Sequence, residues 1–134
     1  TACLIMKKTP CPCNPKADYH SCCEPYHLGK TYPVQQEALM RSRYSAYVLH
    51  NIDYLKLTWH STTCPNDFGD MDATKWLGLK INKIHENSDN QEYFVEFIAR
   101  YKDSNQNGKA DKIHELSRFI YENERLVYID GEFL

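Results

Sequence analysis

Hydrophobic positions change period once along this chain, from steps of three and four to steps of two. Over 36–50 the apolar side chains Met40, Tyr44, Tyr47 and Val48 fall on one helical face, with Leu39 and Ala46 widening it. That spacing predicts a helix opening at Gln36 or Glu37 and running to about His50. Asn51-Ile52-Asp53 restarts a second, short helix with Asp53 as its cap, carrying Tyr54, Leu55 and Leu57 and ending near Trp59-His60. From Leu77 onward the period is two: Leu77, Leu79 and Ile81, then Tyr93, Val95, Phe97, Ala99 and Tyr101, then Ile113 to Tyr121 and Leu126 to Asp130. Turns are expected at Glu86–Gln91, at Asn107-Gly108 and at Glu122–Glu124. Helices followed by a run of antiparallel strands is an α+β order, and 34–134 reads as one domain. Between the two regimes, 61–75 has no period and holds Pro65, Gly69 and three aspartates, a loop long enough to be functional.

Two arginines interrupt the first helix. Arg41 and Arg43 are two residues apart and so point about 200° apart. Arg43 falls between Leu39 and Tyr47 on the helical wheel and is the expected buried structural cation. A buried guanidinium requires a carboxylate or several carbonyls, and Glu96 and Asp130 are the first strand carboxylates to test.

Upstream, 11–27 has neither period but carries the most specific chemistry. Cys11-Pro12-Cys13 and Cys22-Cys23 stand eight residues apart, placing four thiols at the neck of a short loop. Neither close pair forms a relaxed disulfide by itself. Four thiolates around a tetrahedral ion satisfy all of them, with zinc as the expected metal on Cys11, Cys13, Cys22 and Cys23. A cross-paired disulfide knot and four reduced structural thiols are the alternatives. His20 is assigned a place outside the ligand set. With four sulfur ligands the shell is closed, so the zinc is structural, and the knuckle reads as an appendage folded by its metal. Residues 1–10 show no period and are expected to be mobile or an expression remnant; 28–33 reads as a linker.

Composition narrows the function classes. A chain of 134 residues, 42% hydrophobic and 25% charged, is ordinary for a globular protein. The net charge of −2 lacks the footprint of a general nucleic-acid binder. No apolar run approaches the ~20 residues of a membrane span, so no membrane role is expected. Cys3 and Cys64 stand alone beside the clustered four, which favours a reducing cytoplasm over a secreted disulfide scaffold. Ten tyrosines recur on the helix and strands, suggesting a core or cavity with polar edges.

Cys-Pro-Cys, eight residues, then Cys-Cys resembles the SEC-C zinc motif of several bacterial proteins. Leu39–Val48, Asp53-Tyr54-Leu55, Thr58-Trp59-His60, Trp76–Leu79, Ser117-Arg118-Phe119 and Tyr128–Gly131 follow in the order seen in YchJ-like proteins. The Arg41-Ser42-Arg43-Tyr44 block is the most specific part. The usual Gly-Ser-Gly after the first cysteine pair is Asn14-Pro15-Lys16 here, which leaves the four cysteines intact. The resemblance implies a curved antiparallel sheet wrapped around a long helix, the cone of cystatin-like and nuclear transport factor 2-like (NTF2-like) folds, behind an N-terminal zinc knuckle.

That cone implies a pocket. Its candidate residues are Tyr44, Tyr47, Trp59, Trp76, Arg118 and Tyr128, with His60 and Asp130 as the weak catalytic candidates. Trp59-His60 leads into the irregular loop, where a histidine at a pocket mouth serves as a base near neutral pH. No pair of complementary groups is fixed by spacing, so the leading reading is a binding protein rather than an enzyme. Its knuckle would contact a protein partner, and its cone would hold a small molecule. The alternatives are a small cofactor-independent isomerase or dehydratase, and a ribosome or nucleic-acid contact through the knuckle. Lys7, Lys8, Lys16 and Lys30 with Tyr19, Tyr26 and Tyr32 form a small basic patch there, but Asp18 and Glu24 break it, which disfavours direct nucleic-acid readout.

Overall fold

The computed structural model describes residues 9–134, so the expectation for the first ten residues falls, up to Lys8, outside the described part. A two-stranded ribbon comes first, β1 (Pro10–Cys11) and β2 (Asn14–Asp18), followed by a 3-10 turn and α1 (Glu24–His27). Then come α2 (Gln36–Val48) and α3 (Ile52–Leu57). Four long strands complete the chain: β3 (Thr74–Asn87), β4 (Glu92–Asp103), β5 (Ala110–Glu122) and β6 (Arg125–Phe133). They pair in sequence order as an antiparallel meander, β3-β4-β5-β6. This α+β arrangement, a curved sheet against a central helix with a small cysteine knuckle, is the fold class that the periodicities and the resemblance pointed to.

The central helix departs from a one-sided stripe. Leu39, Met40, Tyr44 and Ala46 are buried, but so are Ser42, Arg43 and Ser45. The sheet takes one side of α2, α3 a second, and the cysteine knuckle a third. Each buried polar group is satisfied locally: Ser42 Oγ donates to Leu39 O at 2.9 Å and accepts from the Tyr54 hydroxyl at 2.6 Å. The core against the sheet is continuous, running from Leu39 and Tyr44 through Val95, Phe97 and Phe119 to Leu126.

Bulges decide which strand residues face α2. In β3, Trp76 opposes Tyr101 and Gly78 opposes Arg100, so Leu77 is the extra residue and points outward, 44% exposed. The expected Leu77-Leu79-Ile81 face is therefore broken: Trp76, Leu79 and Ile81 pack against the core. In β6, Tyr128 opposes Phe119 and Asp130 opposes Arg118, leaving Ile129 unpaired. Strand residues two apart normally share a face. The extra residue sends Tyr128 toward the core and Asp130 to the other side.

Tight turns close the meander. Asn123 and Glu124, both with positive φ of 52° and 67°, form the two-residue β5–β6 connection. The β4–β5 loop is longer, with a 3-10 turn at Ser104–Gln106 before left-handed Asn107 and Gly108. The segment after α3 is tied to β6 by Tyr128 N–H to Thr58 O at 2.9 Å and His60 N–H to Tyr128 O at 2.7 Å. That tie covers part of the edge β6 would otherwise expose.

The cap of α3 differs from expectation. Asn51, not Asp53, is the N-cap, its side chain accepting from Tyr54 N–H at 3.1 Å. Asp53 lies inside the first turn, too late to reach the free amides. Asn51→Ala is expected to cost about 1 kcal/mol in urea unfolding, and Asp53→Ala less than about 0.5 kcal/mol. Equal losses would show that the charge near the helix start matters as much as the cap.

Candidate metal centre and ligand cavity

Four sulfur atoms meet where β1, the β1–β2 turn and α1 come together. Cys11 and Cys13 sit 3.5 Å apart, Cys13 and Cys22 3.6 Å, Cys13 and Cys23 3.7 Å, and Cys22 and Cys23 3.9 Å. A tetrahedron of sulfurs ~2.3 Å from a central ion has edges of ~3.8 Å, so these separations match a filled coordination shell. The described cysteines are all free thiols, which sets aside the disulfide knot. All four ligand atoms lie within 4.8 Å of one another and could hold a metal ion. His20 stands outside, bonded to Glu24 at 3.1 Å.

The electrostatics of the four sulfurs point the same way. Hydrogen bonds from Cys13 and then Cys23 pull the Cys11 thiol far below its ordinary value. The same bond to Cys11 lifts Cys13 to about 12, and Cys11 pushes Cys23 up further. Four thiolates this close repel one another, and a cation at their centre offsets that repulsion.

This knuckle is packed against the domain and is not a detachable appendage. Cys11, Cys13 and Cys23 are at most 2% exposed and belong to the same core as Leu39, Met40 and Tyr44. Ser45 of α2 donates to Cys23 Sγ at 3.2 Å and stands 3.5 Å from Cys11 Sγ. Arg41 Nη1 donates to Cys13 O at 3.1 Å while its Nε holds Glu37 at 2.9 Å. His27 Nε2 donates to Ser42 O at 2.8 Å, which leaves Nδ1 to accept from the Tyr19 hydroxyl at 2.7 Å. Knuckle and helix are thus joined by hydrogen bonds at several points.

On the other side of α2 lies a cavity of about 230 Å³. Tyr44 and Tyr47 line it from α2, Trp59 from the segment after α3, Trp76 from β3 and Tyr128 from β6. The remaining pocket candidates are elsewhere. Arg118 lies on the opposite face of the sheet, donating to Asp130 at 2.8 and 2.6 Å and to Glu92 at 2.9 Å. Asp130 is on that same outer face because of the Ile129 bulge, and Arg118 holds its carboxyl below the usual range. His60 also does not line the cavity: its ring meets the Thr62 hydroxyl at 2.7 Å and Glu122 at 3.5 Å.

The polar groups that do face the cavity are Arg43, Glu115 and Ser117. Arg43 is 3% exposed, and its partners are neither Glu96 nor Asp130. Glu96 is occupied by His114 at 3.0 Å. Instead, Arg43 Nη1 donates to Leu55 O and Thr58 O at 3.1 Å each and to Thr58 Oγ1 at 2.6 Å. These oxygens end α3, where the helix dipole favours a cation. Trp59 and Tyr128 complete the setting, with both ring centroids 4.8 Å from the guanidinium carbon. Burial still lowers the Arg43 pKa from its ordinary value.

Sequence reasoning overlooked Glu115. Burial raises its carboxyl, against hydrogen bonds donated by Ser117 at 2.7 Å and, more weakly, by Tyr128. Its side chain lies over Gly131, where a Cβ would collide with the carboxylate. The available signal was Glu115 alternating in phase with Ile113 and Ser117 on a strand facing the core.

A helix held in a curved antiparallel cone, with a four-cysteine knuckle locked to it, defines an NTF2-like protein of the SEC-C type. The family model described as the middle NTF2-like domain of YchJ matches residues 35–131, and the chain belongs to this YchJ-like family. Among relatives, the UPF0225 protein Reut_A0143 of Cupriavidus pinatubonensis is 46% identical over 132 residues, covering 94% of this chain and 90% of that protein. A UPF0225 protein of Serratia proteamaculans is 44% identical over 126 residues, covering 90% and 81%. The solution structure of RPA3114, a SEC-C motif containing protein from Rhodopseudomonas palustris, superposes with a TM-score of 0.74 at 31% identity, covering 94% of this chain and 99% of that one. The crystal structure of a SEC-C motif containing protein from Psychrobacter arcticus gives 0.69 at 29% identity, covering 93% and 81%. Among the described residues no helix is long and apolar enough to cross a membrane.

Two measurements test the interior of this site. Arg43→Met removes charged hydrogen bonds but breaks no direct ion pair, so a loss of about 2–3 kcal/mol is expected, against at most about 1 kcal/mol for Arg41→Met. A larger loss at Arg41 would mean that the Cys13 carbonyl, not α3, is the critical acceptor. For Glu115, a folded-state pKa above the unfolded value favours the folded protein below the unfolded pKa, and that advantage is lost as pH rises through the folded pKa. Glu115→Gln should therefore gain stability relative to wild type as pH increases from 4 to 7, with little difference at the acid end; a pH-independent difference would show Glu115 to be solvated.

Proposed function

We propose that this protein is a zinc-stabilised small-ligand-binding protein: the knuckle holds one structural zinc, and the cone receives a small organic molecule. The observation that carries the reading is the cavity between α2 and the sheet, lined by aromatic rings yet containing a fully buried guanidinium. Small-molecule sites have this composition, largely apolar walls with a few fixed polar groups. Zinc suits the knuckle because four thiolates in a tetrahedron of this size are its preferred closed shell. The thiols also favour a reducing compartment such as the cytoplasm. A protein contact remains available to the start of β2, Asn14–Lys16, which is exposed while the cysteines face inward.

The enzyme alternative draws support from Glu115, whose raised pKa in a mostly apolar cavity suits a general acid or base, rather than from His60 or Asp130.

Zinc should be found at one equivalent by elemental analysis and lost in Cys13→Ser. Because the knuckle shares the core, chelation is expected to lower the midpoint of a single thermal transition by at least about 10 °C. Local unfolding of 11–27 with the main transition unmoved would overturn the shared core. For the cavity, protein-observed NMR with a library of small aromatic compounds should shift Trp59, Trp76 and Ile113, and Ile113→Trp should abolish the effect. Shifts scattered over the outer face of the sheet, or surviving that substitution, would overturn the ligand-holding role.

A further inference from the structure

Arg43 is only half used by the protein. All its hydrogen bonds leave from Nη1, and among the described residues nothing accepts from Nε or Nη2 with normal geometry. The described ion pairs employ Arg41 and Arg118 but not Arg43. The Tyr47 hydroxyl lies close enough to Arg43 for the guanidinium's charge and hydrogen bonding to work against burial on its pKa, so it shares this edge of the cavity with any occupant. Every fully enclosed side-chain nitrogen or oxygen among the described residues has a partner. The unused donors are therefore those that open on the cavity Arg43 lines.

A buried charge without an ionic partner is costly, and carbonyl dipoles and ring faces offset only part of that cost. The unfilled edge, Nε with Nη2, presents two parallel N–H groups, the fork that matches one carboxylate. Around it the walls are apolar: Tyr44, Trp76, Phe97 and Ile113. Glu115 faces the same space and opposes a second negative charge on the occupant. The cavity is also small for a ligand site, where about 300–1,000 Å³ is usual. Phe133, 75% exposed at the end of β6, lines the cavity as well and marks where it meets solvent.

We propose that the cavity binds a small monocarboxylate with an aromatic or branched apolar body, its carboxylate on the Nε–Nη2 edge of Arg43 and its body against Tyr44, Trp76 and Phe97. This rests on the ligand-holding reading above and names the chemistry of that ligand. Arg43 is then a binding residue held in place by α3, with the adjoining rings of Trp59 and Tyr128 packed against its guanidinium.

The test is calorimetric titration of the zinc-loaded full chain with benzoate, phenylacetate and 3-methylbutanoate, each against its primary amide, and with phenyl phosphate. At least one acid should bind about tenfold or more tightly than its amide. Arg43→Lys, which keeps the charge but removes the fork, should erase most of that preference; if it does not fold, the acid–amide comparison on the wild-type chain decides alone. Amides binding as tightly as acids would overturn the carboxylate assignment while leaving a ligand cavity. Phenyl phosphate binding more tightly than every acid would overturn the monoanion. Failure of all the acids overturns the proposal, whereas the ligand-holding reading itself falls only on the outcomes named above for the aromatic library or if that library fails as well.

Discussion

The guanidinium of Arg43 is the interaction on which the interior depends. It carries a charge into a site that is 3% exposed, and three elements are placed to satisfy it. The end of α3 supplies carbonyls, the segment after it supplies Trp59, and β6 supplies Tyr128. The same segment is tied to Tyr128 by backbone hydrogen bonds, so the two rings and the sheet edge form one structure. This burial is met by dipoles and rings at hydrogen-bond range, and the nearest charge of opposite sign, Glu115, acts on Arg43 across the cavity without a direct ion pair.

Along its middle turns the helix bearing Arg43 leaves only Arg41 partly exposed. Ser42 and Ser45 are buried because α3 and the knuckle cover the side the sheet does not. Ser45 in particular stands against two cysteine sulfurs and links the metal-binding cluster to the helix that lines the cavity. Cluster and cavity lie on different sides of one helix only 13 residues long. Small residues suit that role, since larger ones would separate the knuckle from α2.

The strands divide their chemistry between two faces, and bulges set the division. Arg118, Asp130 and Glu92 form an ion-pair group on the outer face, while Glu115, Ser117 and Tyr128 form a hydrogen-bonded group inside. Only one extra residue, Ile129, separates Tyr128 from Asp130 in orientation. Gly131 then allows the Glu115 side chain to lie flat over β6 and reach the cavity wall.

Much of this was determined by the sequence alone, wherever residue type and local spacing suffice. The two helices follow from periods of three and four, the strands from period two, and the four-cysteine group from the pairing of Cys-x-Cys with Cys-Cys. The αL turn at Asn123-Glu124 lies in the connection the pattern left between two strands. Tertiary structure decided what local spacing does not encode. A bulge inserts one residue without altering composition, so Leu77, Trp76 and Asp130 changed sides relative to strict alternation. The partners of Arg43 were carbonyls from residues 12 and 15 positions away, and a carbonyl is present at every residue, so no sequence pattern marks them. His60 and Arg118 have the residue types of a functional site, but their neighbours place them outside the cavity. Glu115 became a site residue for the converse reason: three-dimensional packing buried an ordinary strand carboxylate beside a cation.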